Sequence, residues 1–210
     1  MKLFRRAGWG SALVEYQLAW YSLPHTLEDV DDLFKSEKAR AAVRTVNPVA
    51  QIPTLVLDDG TVLTESAAIT LWLAEQVGSD ELVPGPGTPE RAAFLRWLVF
   101  LVANIYPCFT FADDPARFVE VESARQPFRE AVNAHQKRLW EAVEAAAGSP
   151  WFLGDRFSAL DIYLAVMTKW RPGRAWFARE ALRLSAIATA VEAMPALADV
   201  IAANHDPLLD

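Results

Sequence analysis

Three short stretches of this 210-residue chain combine residue types that can hold small charged groups. Gly8-Trp9-Gly10-Ser11 lies between an apolar stretch and a helical pattern. It sets free N–H groups and the positive end of a helix dipole at one spot. A pyrophosphate fingerprint needs a third glycine where Leu13 stands, so a smaller anion such as a thiolate fits better. The plainer alternative is a tight turn with Ser11 as an N-cap. Thr64-Glu65-Ser66 opens a second helical pattern. The Ser66 hydroxyl and the helix N–H groups suit a carboxylate, and Glu65 suits an ammonium, so together they suit an α-amino acid end. An ordinary helix start with an acidic first turn is the alternative. Gln51-Ile52-Pro53-Thr54 leads into a strand pattern. A cis proline there leaves the preceding backbone groups open to an extended ligand; a trans proline is the alternative.

These stretches need elements to position them. Leu3-Phe4 reads as a short strand, and Ser11–Tyr21 as a helix with Leu13, Val14, Leu18 and Tyr21 on one face, ended by Pro24. His25–Val30 reads as a second strand and Ser36–Val46 as a helix broken by Asn47-Pro48. Thr54–Thr64 is a hairpin pattern around Asp59-Gly60, a type I′ pair, and Ala67–Val77 is a helix. The order is βαβαββα. Residues 79–88 have linker composition, and Thr88 with Pro89 predicts a helix start with Thr88 as N-cap. Helical patterns follow over 89–112, 124–147, 159–170 and twice within 183–205, the second opened by Pro195. The reading is therefore an α/β unit over 1–78, a linker over 79–88 and an all-helical unit over 89–210.

Composition narrows the chemistry. An apolar share of 52% with 22% charged residues is that of a folded chain. A net charge of −7 argues against a surface for nucleic acid or anionic lipid. The single cysteine, Cys108, forms no intramolecular disulfide, points to a reducing compartment and lies in an apolar run that suits a buried, inert thiol. No secretory leader is visible at Met1–Arg6, and the apolar stretch Trp97–Phe111, interrupted by Asn104 and Pro107, looks too short for a membrane span. The chain lacks a P-loop, His-Glu-x-x-His, Cys-x-x-Cys and Gly-x-Ser-x-Gly, and its three histidines stand isolated, so no metal site is expected.

Taken in order, the three stretches resemble the glutathione transferase superfamily over nearly the whole chain. The most specific part is Asn47-Pro-Val-Ala-Gln-Ile-Pro-Thr-Leu-Val-Leu-Asp-Asp-Gly-Thr-Val-Leu-Thr-Glu-Ser-Ala-Ala-Ile-Thr-Leu-Trp-Leu-Ala-Glu75. A second part is Gly154-Asp-Arg-Phe-Ser-Ala-Leu-Asp-Ile-Tyr163, where Ser158 and Asp161 have capping-box spacing and Phe157 and Ile162 that of a hydrophobic staple. The resemblance implies a thioredoxin-like N-terminal unit, an all-α C-terminal unit and a cytoplasmic homodimer. It implies glutathione as co-substrate, with no separate cofactor, and transfer of its thiolate to a small apolar electrophile. Pro53 would be a cis proline. Ile52 would bind the cysteinyl backbone, Glu65 and Ser66 the γ-glutamyl end, and Gln51 would lie beside them. The sequence departs from the family at the thiolate position. The tyrosine-type position holds Arg6 and the cysteine-type position Gly10, which leaves Ser11 as the candidate catalytic hydroxyl, with Arg6, Trp9 and Gly10 as neighbours. Tyr106 and Phe109 are the candidate electrophile site, or helix core. The same scaffold also serves as a non-catalytic binding or interaction module, and that reading stays open on sequence alone.

Overall fold

Along Lys2–Arg5 exposed and buried positions alternate, the mark of a half-buried strand, and this is β1 of the computed structural model, which describes residues 1–205. It is followed by α1 (Ala12–Trp20), β2 (Thr26–Asp29), α2 (Glu37–Arg44), β3 (Thr54–Val56), β4 (Val62–Leu63) and α3 (Ser66–Val77). The sheet order is β2-β1-β3-β4, with β1 parallel to β2 and the other pairs antiparallel. This is the expected βαβαββα order. Successive residues of β1 point to opposite faces. Leu3 joins Val14, Leu18, Leu55, Ile69 and Leu73 in one fully buried cluster with α1 and α3. Phe4 packs on the opposite cluster of Leu33, Ala39, Val43, Ala50 and Ile52, beside α2. Each Val, Leu or Ile among them stabilises the fold by roughly 1.5–3 kcal/mol on burial.

The hairpin forms, but not with the expected turn. Only Gly60 of the Asp59-Gly60 pair has positive φ, at 87°. Leu57 N–H bonds to the Thr61 carbonyl at 2.8 Å and Gly60 N–H to the Leu57 carbonyl at 3.0 Å. That is a three-residue loop with glycine in the left-handed position, because a type I′ turn needs positive φ at both central residues.

Among the described residues, the first compact unit comprises Met1–Gly85 and residues 190–205; the second is Pro86–Thr189. The division expected at 89–210 is thus corrected at its far end. After α9 (Leu182–Glu192), a 3₁₀ turn at Pro195–Leu197 and α10 (Ala198–Ala203) return to α1, and Leu197 is fully buried there.

In the second unit, α4 (Arg91–Phe100), a π turn (Leu101–Ile105) and α5 (Tyr106–Asp113) form one run of 23 residues, Arg91–Asp113. Helix α4 starts at Glu90 with no side-chain cap, so Thr88 is not its N-cap. Pro107 lacks the N–H that the ladder needs, and the helix widens by one residue per turn just ahead of it. By length and composition this run is apolar enough to cross a bilayer, contrary to the shorter span expected. Phe94, Leu98, Leu101 and Ile105 are nevertheless buried within the unit, as in a core helix. The unit is completed by α6 (Glu122–Ala146), α7 (Ala159–Met167), α8 (Arg174–Glu180) and most of α9. Helix α8 was not anticipated.

Candidate functional site

The sheet register gathers three loops at one end. Phe4 pairs with Thr54, so the end of β1 lies beside the start of β3; Leu55 pairs with Leu63, so the end of β4 lies beside it too. The segments Arg6–Ser11, Gln51–Pro53 and Thr64–Ser66 therefore emerge together.

In the middle segment the Ile52–Pro53 peptide is cis. The loop is built around Asn47, only 2% exposed. Its Nδ2 donates to the Gln51 carbonyl and to Thr54 Oγ1, both at 3.0 Å, and its Oδ1 accepts from Val49 N–H at 3.1 Å. Thr54 Oγ1 donates to the same Gln51 carbonyl at 2.7 Å. The buried polar atoms thus bond to one another, and the main-chain N–H and C=O of Ile52 have no partner among the described residues. The Gln51 side chain is exposed.

The third segment is an open helix start. Glu65, the residue before α3, has φ 62° and ψ 105°, an uncommon conformation for a residue with a Cβ, and it is solvent-exposed. Ser66 is 9% exposed, and its hydroxyl has no partner among the described residues. The first helical N–H groups point the same way, as at any helix start. Behind them a relay fixes the turn. Gln17, fully buried on α1, donates to Thr70 Oγ1 at 2.9 Å, and Thr70 donates to the Ser66 carbonyl at 2.9 Å. Gln17, Thr70 and Asn47 were missed as positioning residues. Their only signal is a polar side chain where the helical pattern is otherwise apolar, or a proline after an asparagine.

The first segment departs from expectation. Ser11 is fully buried and in helical conformation, and its side chain does not cap α1. Instead its Oγ accepts from Arg6 N–H and donates to the Arg6 carbonyl, both at 3.1 Å. The single hydroxyl proton is thereby committed within the loop. Arg6 Nη1 lies 3.5 Å from Asp31 and 3.4 Å from the Val30 carbonyl, so its charge is turned to the β2–α2 loop. The Trp9 ring lies 5.2 Å from that of Phe34, tilted by 41°, and below the Arg6 guanidinium, and it packs against the cluster that contains Ile52. Gly10 is buried, and the N–H groups of Gly10 and Ser11 have no partner among the described residues.

In the second unit Tyr106, Phe109 and Trp170 form an edge-to-face trio with centroids 5.0–6.1 Å apart. Phe109 is 6% exposed and belongs to the core; Tyr106 and Trp170 are half-buried. Trp170 had no signal in the sequence beyond its type. Cys108 is buried, donates to the Asn104 carbonyl at 3.3 Å, and burial pushes its thiol above the ordinary value. Asp161 is fully buried, and desolvation raises its carboxyl to about 6. Its Oδ1 accepts from Phe152 N–H at 2.7 Å and its Oδ2 from Ser158 N–H at 2.8 Å, which closes the capping box. Among the described residues, no cluster of His, Cys, Asp or Glu could hold a metal.

Residues 14–76 match the glutathione S-transferase N-terminal domain. The GST-like protein YncG of Escherichia coli K12 is 36% identical over 98% of both chains. Glutathione S-transferase GstA of Escherichia coli O157:H7 is 30% identical over 81% of this chain and 82% of its own. A sphingomonad glutathione S-transferase complexed with glutathione has a TM-score of 0.78 at 29% identity, covering 97% of this chain and 98% of that one. A ternary complex of the bacterial enzyme BphK has a TM-score of 0.74 at 28% identity, covering 97% and 99%. The sheet, its cis-proline loop and the open start of α3 are accordingly those of a chain that belongs to the glutathione S-transferase family.

Proposed function

We propose that this protein binds glutathione at the open end of its sheet and transfers the thiolate to a small apolar electrophile. The observation that carries this is the start of α3, where the Ser66 hydroxyl and the helix N–H groups stand ready for a carboxylate beside the exposed Glu65. Glu65 pairs with the γ-glutamyl ammonium, Ser66 with its carboxylate, and the Ile52 main chain with the cysteinyl backbone; Gln51 lies alongside. Relatives named glutathione S-transferases support the reading.

The sulfur is received by the N–H groups of Gly10 and Ser11 and by the positive end of α1, rather than by the Ser11 hydroxyl, whose proton is held by Arg6. Each unit by which these groups lower the thiol pKa corresponds to about 1.4 kcal/mol of thiolate stabilisation. The thiol proton leaves to solvent. The sulfur lone pair forms a carbon–sulfur bond with the electrophile, and the leaving group departs with the bonding electrons. The reading includes a homodimer in the cytoplasm, checked by sedimentation and cell fractionation.

The commitment of the Ser11 hydroxyl to Arg6 favours one other reading, a glutathione-binding module without turnover. Titration calorimetry with glutathione and turnover of 1-chloro-2,4-dinitrobenzene separate the two. Transfer predicts binding and turnover, with Ser11→Ala, which loosens the loop but removes no donor to the sulfur, retaining turnover. Binding without turnover selects the module, and no binding at millimolar glutathione overturns both.

A further inference from the structure

A buried polar network connects the far end of the described chain to the loop that receives the sulfur. Arg5 ends β1 and Glu15 lies in the first turn of α1; their side chains are 8% and 2% exposed. Arg5 Nη1 donates to Glu15 Oε2 at 2.9 Å, and its Nη2 donates to the carbonyl of Ala203, the last residue of α10, at 3.2 Å. Asn204 follows and is 3% exposed. Its Nδ2 donates to the same Glu15 oxygen at 2.9 Å and to the Val200 carbonyl at 3.1 Å. Its Oδ1 accepts from the N–H of Gly8 at 3.3 Å. Gly8 has φ 74°, so it is the residue at which the loop turns.

The arrangement has a direction. The Arg5–Glu15 pair is desolvated and holds its oxygen in place from one side. That oxygen and the Val200 carbonyl take both protons of the Asn204 amide, which leaves Oδ1 as the amide's only remaining acceptor. The acceptor falls on Gly8, two residues before Gly10. With one end of the loop held by Asn204 and the other by the Ser11–Arg6 bonds, the Gly10 and Ser11 N–H groups have a fixed orientation.

We infer that Asn204 is a positioning residue for thiolate formation, acting through Gly8 on the N–H groups that face the sulfur. This rests on the proposed glutathione reading. The test follows the ultraviolet absorbance of glutathione thiolate bound to the full chain against pH. Asn204→Ala should raise the pKa of the bound thiol by about half to one unit, the loss of one net hydrogen bond. Turnover of 1-chloro-2,4-dinitrobenzene below that pKa should fall roughly three- to tenfold, with KM for glutathione within about twofold. In the native wild-type protein the Gly8 amide should exchange slowly with solvent. A wild-type titration in folded Asn204→Ala overturns this inference alone, as does unprotected Gly8 exchange. The absence of any bound thiolate in the wild type overturns it together with the glutathione reading.

Discussion

Two helices of this protein start at a serine with a carboxylate nearby, and they treat those groups in opposite ways. At α7 the acid stands three residues after the serine. Asp161 folds back onto the Ser158 N–H and hydroxyl and onto Phe152 N–H, and both side chains are fully buried. At α3 the acid stands just before the serine, at positive φ, and is exposed, while the Ser66 hydroxyl has no partner among the described residues. The residue types match; their order along the chain does not. An acid at the third helical position reaches its own cap and closes the turn. An acid ahead of the helix cannot, and the polar groups stay available to a ligand.

The contrast breaks most readily at α7. Asp161→Ala leaves three buried donors unsatisfied and is expected to cost about 3–5 kcal/mol of stability. A loss below about 1 kcal/mol by denaturant unfolding would mean that the α7 turn is no more closed than that of α3. The next largest effect is on pH dependence. The Asp161 carboxyl is raised in the folded state to about 6. Its contribution is therefore fully present below the unfolded value near 4 and is lost as pH rises through about 6. Relative to Asp161→Asn, the wild type should lose on the order of 3 kcal/mol over that window. A flat difference would show the carboxylate to be fully compensated by its donors. Ser66→Ala sharpens the other side. It should change stability by no more than about 0.5 kcal/mol, yet weaken glutathione roughly tenfold or more, the value of one hydrogen bond to a charged group. A stability loss as large as that of Asp161→Ala, with affinity intact, would make Ser66 a structural residue.

The order of elements was legible because apolar spacing changes period between Leu3-Phe4, the α1 pattern and the hairpin, and burial follows those periods. The α3 start was legible because Glu65 and Ser66 need no partner far along the chain. Ser11 was not. Whether its hydroxyl capped α1 or turned to Arg6 depends on how the whole loop closes, which local spacing does not encode. Asn47 carried a visible signal, the proline after it, but that says only that a helix stops. The return of α10 was hidden for the same reason at longer range. The partners of Asn204 are Gly8 and Glu15, near the opposite end of the chain.

That return has a consequence for how the protein is made. Residues 86–189 form a continuous stretch that emerges from the ribosome with everything its unit requires. The first unit needs Leu197 and Asn204, which are translated after all of the other unit. Nascent chains ordinarily complete their N-terminal unit first. Here the unit begun first is finished second, so Arg5 and Glu15 wait for the segment that supplies their Ala203 and Asn204 partners.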